Sequence, residues 1–373
     1  MAARRHVRTE KSMHTTRRDF LQTAAATGIA VAGCGWAHAQ RAPAASRGPV
    51  SVGGRRVTTV DMHAHILIPE VWPLLEGYER AENDIGAFLR SPMAQNLISV
   101  ERRLDEMERQ GIDIQLLTVH FQHQHDWADR ELAAAIVRVL NEKMAEQVEA
   151  HPDRLIGLGA VSLQHPDLAA EQLTRAMREL GLKGVMMTTI IGDEEISAER
   201  FRPFWTRAEE LGAVVFIHPE GFPGGSRFAG SGALGNTIGM PLDTSVALSH
   251  MIFSGFLDRH PGIKIVASHG GGYLPSYIGR SDNCFVRNPA CQGMDKTPSE
   301  YLRQLYYDTL VYSPENLRHL IDVVGADRVV LGTDYPFPIA SQDPIGDALA
   351  VEGLSDRELE AILGGTALSL LDV

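Results

Sequence analysis

Val57-Thr58-Thr59-Val60-Asp61-Met62-His63-Ala64-His65 is a short β-branched run that closes on two histidines one residue apart. On a strand, residues i and i+2 share a face, so both imidazoles point the same way. The design recurs along the chain. Val214-Val215-Phe216-Ile217-His218, Ile263-Lys264-Ile265-Val266-Ala267-Ser268-His269 and Val329-Val330-Leu331-Gly332-Thr333-Asp334 each end an apolar run on one ionisable group. Further predicted strands lie at Ile112–Val119, Leu155–Val161, Gly184–Thr189 and Leu305–Leu310.

Amphipathic helical patterns fill the intervals, at 99–110, 127–150, 166–180, 197–211, 242–259, 314–324 and 356–371. Leu180-Gly181 is a representative stop, with glycine where a C-cap needs a positive φ. Strands alternating with helices in this way predict an α/β fold, a closed (β/α)8 TIM barrel rather than a doubly wound sheet. No GxGxxG follows the first strand, which argues against dinucleotide binding.

In such a barrel the C-terminal strand ends form the mouth, where active sites are built. His63, His65, His218 and Asp334 are therefore expected to meet there, with His269 beside them. A buried imidazole or carboxylate without a partner is costly. One shared divalent cation removes that cost for several groups together. The residue types alone leave zinc and manganese both open.

The chain has 373 residues, 44% hydrophobic and 22% charged, with a formal charge of −12. That is a globular composition with ample chain for a large core. No basic stripe follows the first 20 residues, which argues against nucleic acid as a partner. Cys34, Cys284 and Cys291 make no disulfide framework, no CxxC is present, and Cys284 is not expected to pair with Cys291 in their loop.

Residues 1–39 read as an export signal. Thr16-Arg17-Arg18-Asp19-Phe20-Leu21-Gln22 resembles a twin-arginine motif, an Ala-rich apolar run follows, and Ala37-His38-Ala39 offers a cleavage site. The apolar run is too short to span a bilayer. Val31-Ala32-Gly33-Cys34 also looks like a lipoprotein signal, so Cys34 is a candidate lipid anchor. Cleavage after Ala39 leaves 29 basic and 45 acidic residues, a formal −16. The expected location is the periplasm, reached in the folded state through the export machinery. Residues 40–56 read as a linker and 57–373 as the barrel domain.

From about Val60 to Leu370 the chain resembles the amidohydrolase-related family that includes aminocarboxymuconate-semialdehyde decarboxylase. The motifs that carry the resemblance are Asp61-Met62-His63-Ala64-His65-Ile66, His218-Pro219, Ile238-Gly239-Met240-Pro241, Ser268-His269-Gly270-Gly271-Gly272 and Leu331-Gly332-Thr333-Asp334-Tyr335-Pro336-Phe337-Pro338. The resemblance implies that the positions of His63, His65, His218 and Asp334 bind zinc. It implies that His269 hydrogen-bonds the metal's water and acts in proton transfer, which adds Asp334 and His269 to the catalytic set. It assigns Arg103 to a substrate carboxylate, and Arg280 to the same task across a homodimer interface. Binuclear relatives use a lysine at the end of strand four. Here the strand-four run has only Lys183, at its start, so one metal is expected. The chain carries Asn236 and Glu220 where the decarboxylase has aromatic residues, which points to a different substrate.

Two reactions share these ligands. A decarboxylase would hold an aromatic or unsaturated carboxylic acid through its arginines while His269 protonates the carbon. A hydrolase would use metal-activated water on a lactone, an amide or another carbonyl compound. Arginine suits bidentate carboxylate recognition, which favours decarboxylation. A non-enzymatic, exported metal- or solute-binding protein would give His269 no reason to stand beside the ligands. His120, His123 and His125 follow strand two and read mainly as solvated loop residues, with one as a substrate contact at most. Asp308, at the end of strand seven, is either a carboxylate that orients a ligand or a salt-bridged strand end.

Overall fold

A computed structural model describes residues 46–78, 88–120, 125–222, 225–230 and 232–373. The predicted export signal, Cys34 and His123 lie outside the described residues. The barrel strands are β1 (Val60–Ile66), β2 (Ile114–Val119), β3 (Leu155–Gly157), β4 (Gly184–Met187), β5 (Val214–Ile217), β6 (Lys264–Ala267), β7 (Tyr306–Asp308) and β8 (Val329–Val330). All pairings between them are parallel, in the order β1-β2-β3 and β4-β5-β6-β7-β8. A bridge between Gly159 and Val185 joins β3 to β4. A second, between Ala64 and Tyr335, returns the chain beyond β8 to β1, and Met62 N donates to Leu331 O at 2.8 Å. The cylinder is closed, as the alternation of strands and helices predicts.

Between the strands run α1 (Val100–Gln110), α2 (Arg130–Ala150), α3 (Pro166–Arg178), α4 (Arg202–Leu211), α5 (Met240–Phe253), α6 (Leu274–Arg287) and α7 (Pro314–Val324). Helix α8 (Thr366–Leu371) ends the chain. Local sequence explains their limits. The Ser99 side chain accepts from Arg102 N at the start of α1, and Gly111 ends it in the left-handed region at φ 79°. Asp129 caps α2, and Ser313 with Pro314 opens α7. Strand β5 is buried throughout, because both faces of a parallel barrel strand are covered.

Three expectations are corrected. Residues 46–56 are not a free linker. Val50 and Val52 are buried, Ser46 Oγ donates to Glu108 O at 2.8 Å, and a ribbon of Ser51–Val52 with Arg55–Arg56 packs beside the start of the barrel. The alternating valines outweigh the linker-like Gly/Pro/Ala composition. Cys284 sits in helix α6 rather than a loop. The helix end and the turn Pro289–Cys291 bring Cys284 and Cys291 to a Cα separation of 5.8 Å, joined by a disulfide.

Candidate metal centre

The HxH strand carries a bulge. Asp61 faces Gln115 and His65 faces Thr118, so β1 holds one residue more than β2 between those pairs. Bulges re-aim side chains, and they cluster at barrel rims and beside active sites. Here His63 Nε2 and His65 Nε2 approach to 3.1 Å. Asp334 Oδ1 lies 3.3 Å from His63 Nε2 and 3.2 Å from His65 Nε2. His218 completes the group, its ring centroid 5.1 Å from that of His63 and 4.8 Å from that of His65. One ligand atom from each of the four lies within 4.8 Å of every other, and all four residues are buried.

The cluster fits a cation. Among the described residues both ring nitrogens of His218 are buried and lack a hydrogen-bond partner, so a metal would satisfy a nitrogen that no described group does. Three imidazoles and one carboxylate are a donor set that suits a first-row divalent ion. Burial, reinforced by the neighbouring rings of His65 and His269, holds the His218 pKa well below its ordinary 6.5. Its ring is therefore neutral near pH 7, the form that ligates. Lys183, the strand-four lysine, sits at the far end of the barrel with its ammonium on Asp372 O at 3.4 Å.

Outer contacts hold the HxH pair. His63 Nδ1 pairs with Asp308 Oδ2 at 2.7 Å, and Thr118 Oγ1 lies 3.2 Å from His65 Nδ1. Burial opposes charge on His63, but Asp334 and Asp308 outweigh it and raise its pKa. Asp308 also accepts from His269 N at 2.9 Å, Gly270 N at 2.8 Å and Leu310 N at 3.1 Å. It is therefore a carboxylate that orients a ligand, one of the two roles open to it from sequence.

His269 stands over the cluster, its ring centroid 5.1 Å from that of His218 and 5.4 Å from that of His63. Its φ of 55° turns the backbone out of β6, and Gly270, Gly271 and Gly272 continue at φ 61°, 75° and 67°. At Gly272 a Cβ would stand 2.0 Å from Pro241 O, so only glycine fits. His269 Nδ1 is buried without a partner, while the residue keeps partial access to the mouth.

The two arginines fall elsewhere. Arg103 is 1% exposed, closed off from the mouth by its burial. Its guanidinium donates to Gln115 Oε1 at 2.7 Å and to His65 O, and it lies 4.8 Å from the centre of the Tyr335 ring. That corrects the substrate-carboxylate assignment, because both terminal nitrogens serve the protein. Arg280 is exposed on α6 and meets none of the ligands within one chain.

Sequence reasoning passed over several contributors. Asp61 accepts from His63 N, Thr333 N, Thr333 Oγ1 and Gln115 Nε2. Its place two residues before His63 on one strand, and the polar Gln115 within an apolar run, were the available signals. His120 is 2% exposed, its ring 5.5 Å from Phe337 and 6.4 Å from His65, so it belongs to the mouth rather than to a solvated loop.

Residues 60–373 match the amidohydrolase family. The chain is 33% identical over 333 residues to 2-amino-3-carboxymuconate-6-semialdehyde decarboxylase of Dictyostelium discoideum, covering 85% of this chain and 92% of that protein. It is 28% identical to gamma-resorcylate decarboxylase of Rhodococcus jostii, covering 74% of this chain and 88% of that one. Among solved structures, 5-carboxyvanillate decarboxylase of Sphingomonas paucimobilis superposes with a TM-score of 0.76 at 26% identity, covering 85% of this chain and 99% of that one. The dihydroxybenzoic acid decarboxylase of Polaromonas with bound manganese superposes at 0.73 with 25% identity, covering 85% and 97%. By sequence and by fold, the chain belongs to the amidohydrolase family.

Proposed function

We propose that this protein is a metal-dependent, non-oxidative decarboxylase of an aromatic or unsaturated carboxylic acid. The observation that carries the reading is the buried cluster of His63, His65, His218 and Asp334 with His269 over it. The decarboxylases among its relatives favour this reaction over hydrolysis of a lactone or amide.

His63, His65, His218 and Asp334 would hold one divalent ion. When bound, it supplies positive charge that polarises a substrate oxygen and steadies negative charge as the carbon–carbon bond breaks. Zinc suits three imidazoles, and the manganese of the Polaromonas enzyme makes that ion the rival. Burial lowers the pKa of His269, so a proton it takes from the substrate acid or from water is readily passed on to the carbon that loses CO2. Asp308 fixes the backbone of His269 and so aims its ring. Phe337 and His120 line the side of the mouth next to His65, a surface suited to a flat ring. With Arg103 withdrawn, carboxylate recognition falls to the metal and to Arg280 of a second copy. The exposed Tyr277 (73%) and Val286 (68%) on the same helix support a homodimer through α6.

The test is a screen of zinc- and manganese-loaded protein against aromatic and unsaturated carboxylic acids and lactones. The expected result is released CO2 with a one-for-one decarboxylated product. Ring opening without CO2 would reject the reading in favour of hydrolysis.

We also infer export to the periplasm. The support is the signal-like segment of residues 1–39 together with the Cys284–Cys291 disulfide, since such bonds persist in oxidising compartments. Both cysteines lie near the surface, where the bond can close after a folded chain has crossed the membrane. Fractionation of an export-competent bacterium that leaves the enzyme in the cytoplasm with two free thiols would overturn this.

A further inference from the structure

Arg103 is the largest charged side chain in the buried interior, and among the described residues its guanidinium meets no carboxylate. A buried cation is costly unless its contacts repay it. Its contacts all lead to the metal cluster. One terminal nitrogen holds the carbonyl of the ligand His65. The plane lies against Tyr335, the residue after the ligand Asp334. The other terminal nitrogen holds Gln115 Oε1, whose amide donates to Asp61 Oδ2 at 2.7 Å. Asp61 then binds His63 N at 3.0 Å, Thr333 N at 3.0 Å and Thr333 Oγ1 at 2.6 Å. Thr333 Oγ1 in turn accepts from Tyr335 N at 3.1 Å. The chain of contacts starts in α1, crosses β2, and reaches the backbone on both sides of the seam between β1 and the end of β8.

We propose that Arg103 is a positioning residue for the metal centre. It locks the HxH strand against the Asp334 turn and thereby sets metal affinity, without touching substrate. The three ligands at that seam belong to segments 269 to 271 residues apart in sequence, joined by few backbone hydrogen bonds. Arg103 touches both segments at once. A lysine has no planar fork to hold the carbonyl and the amide together, so an ammonium would hold only one of the two.

This rests on the metal-dependent reading, and the experiment separates the two. Metal-free full chain is titrated with Zn2+ and with Mn2+ against a competing chelator. Arg103→Met should raise the metal Kd about 10–100-fold, the usual cost of losing a contact behind a ligand. At saturating metal, KM for the best acid should stay within about twofold. Gln115→Met should weaken metal binding too, and the double variant should fall short of the product of the two effects. Arg103→Lys should restore part of the loss. Melting of the metal-free forms checks folding; if Arg103→Met does not fold, Gln115→Met and Arg103→Lys carry the test. An unchanged metal Kd with KM raised tenfold or more would overturn the proposal and return Arg103 to the substrate. Wild-type protein that binds neither ion would overturn the metal-dependent reading itself.

Discussion

His63 and His218 aim at one point from opposite sides of the barrel, yet the protein treats them differently. His63 is anchored through Nδ1 to Asp308 at 2.7 Å, and its backbone N–H is held by Asp61. Among the described residues His218 has no hydrogen bond at either ring nitrogen. One side of the site is prepared before any ion arrives, and the other relies on the ion to orient it. A prepared half lowers the ordering cost of binding, while the His218 ring, held by packing alone, gains its polar partner from the ion.

The largest expected effect lies with neither ligand but with His269, the proposed proton carrier. His269→Gln should lower kcat about 10²–10⁴-fold, the usual worth of a positioned acid–base group, with metal content unchanged. Steady-state rates alongside elemental analysis check this. Loss of the metal as well would make His269 a ligand and blur the division between the two halves.

A smaller effect sharpens the contrast. Asp308→Asn should weaken metal binding about 10–100-fold, because an amide cannot accept from His63 Nδ1, His269 N and Gly270 N as the carboxylate does. Chelator competition would show it. An unchanged Kd would mean that the His63 side is no better prepared than the His218 side.

These two residues also mark how far the site could be read from sequence. The ligands were legible because each ends an apolar run, and strand ends share one rim once the barrel is granted. His269 was legible for the same reason. Asp61, Gln115 and Arg103 were not, because their roles depend on register. The bulge in β1 decides that Asp61 faces Gln115 while His65 faces Thr118, and no periodicity reports a single extra residue. The family match led the reading of Arg103 to substrate, where burial and hydrogen bonds say otherwise. Helix α6 lies outside the predicted helices, and with it the proximity of Cys284 to Cys291, because the glycine, proline and asparagine around these cysteines read as a loop.

The last effect is on stability and lies away from the metal ligands, in the segment that leads into α2. Burial lowers the pKa of His125 to about 4, against an ordinary 6.5. Unfolded chain takes up a proton between those values while the folded form does not. Stability is therefore complete above pH 6.5, falls as pH drops toward 4, and levels off below it. The loss is on the order of 1–3 kcal/mol for this one group. In urea unfolding of metal-free protein, His125→Gln should flatten that limb. An unchanged slope between pH 6.5 and 4 would show that the loop yields and lets the ring be solvated.

Asp308 gives the site one further property. A single carboxylate steadies both the ring of His63 and the backbone that carries His269. Any shift of the His63 ring is thus passed mechanically to the backbone of His269, the proposed proton carrier. Selection cannot retune one without disturbing the other, so new substrates should be acquired through the segments that carry Glu220 and Asn236, while the strand tips stay as they are.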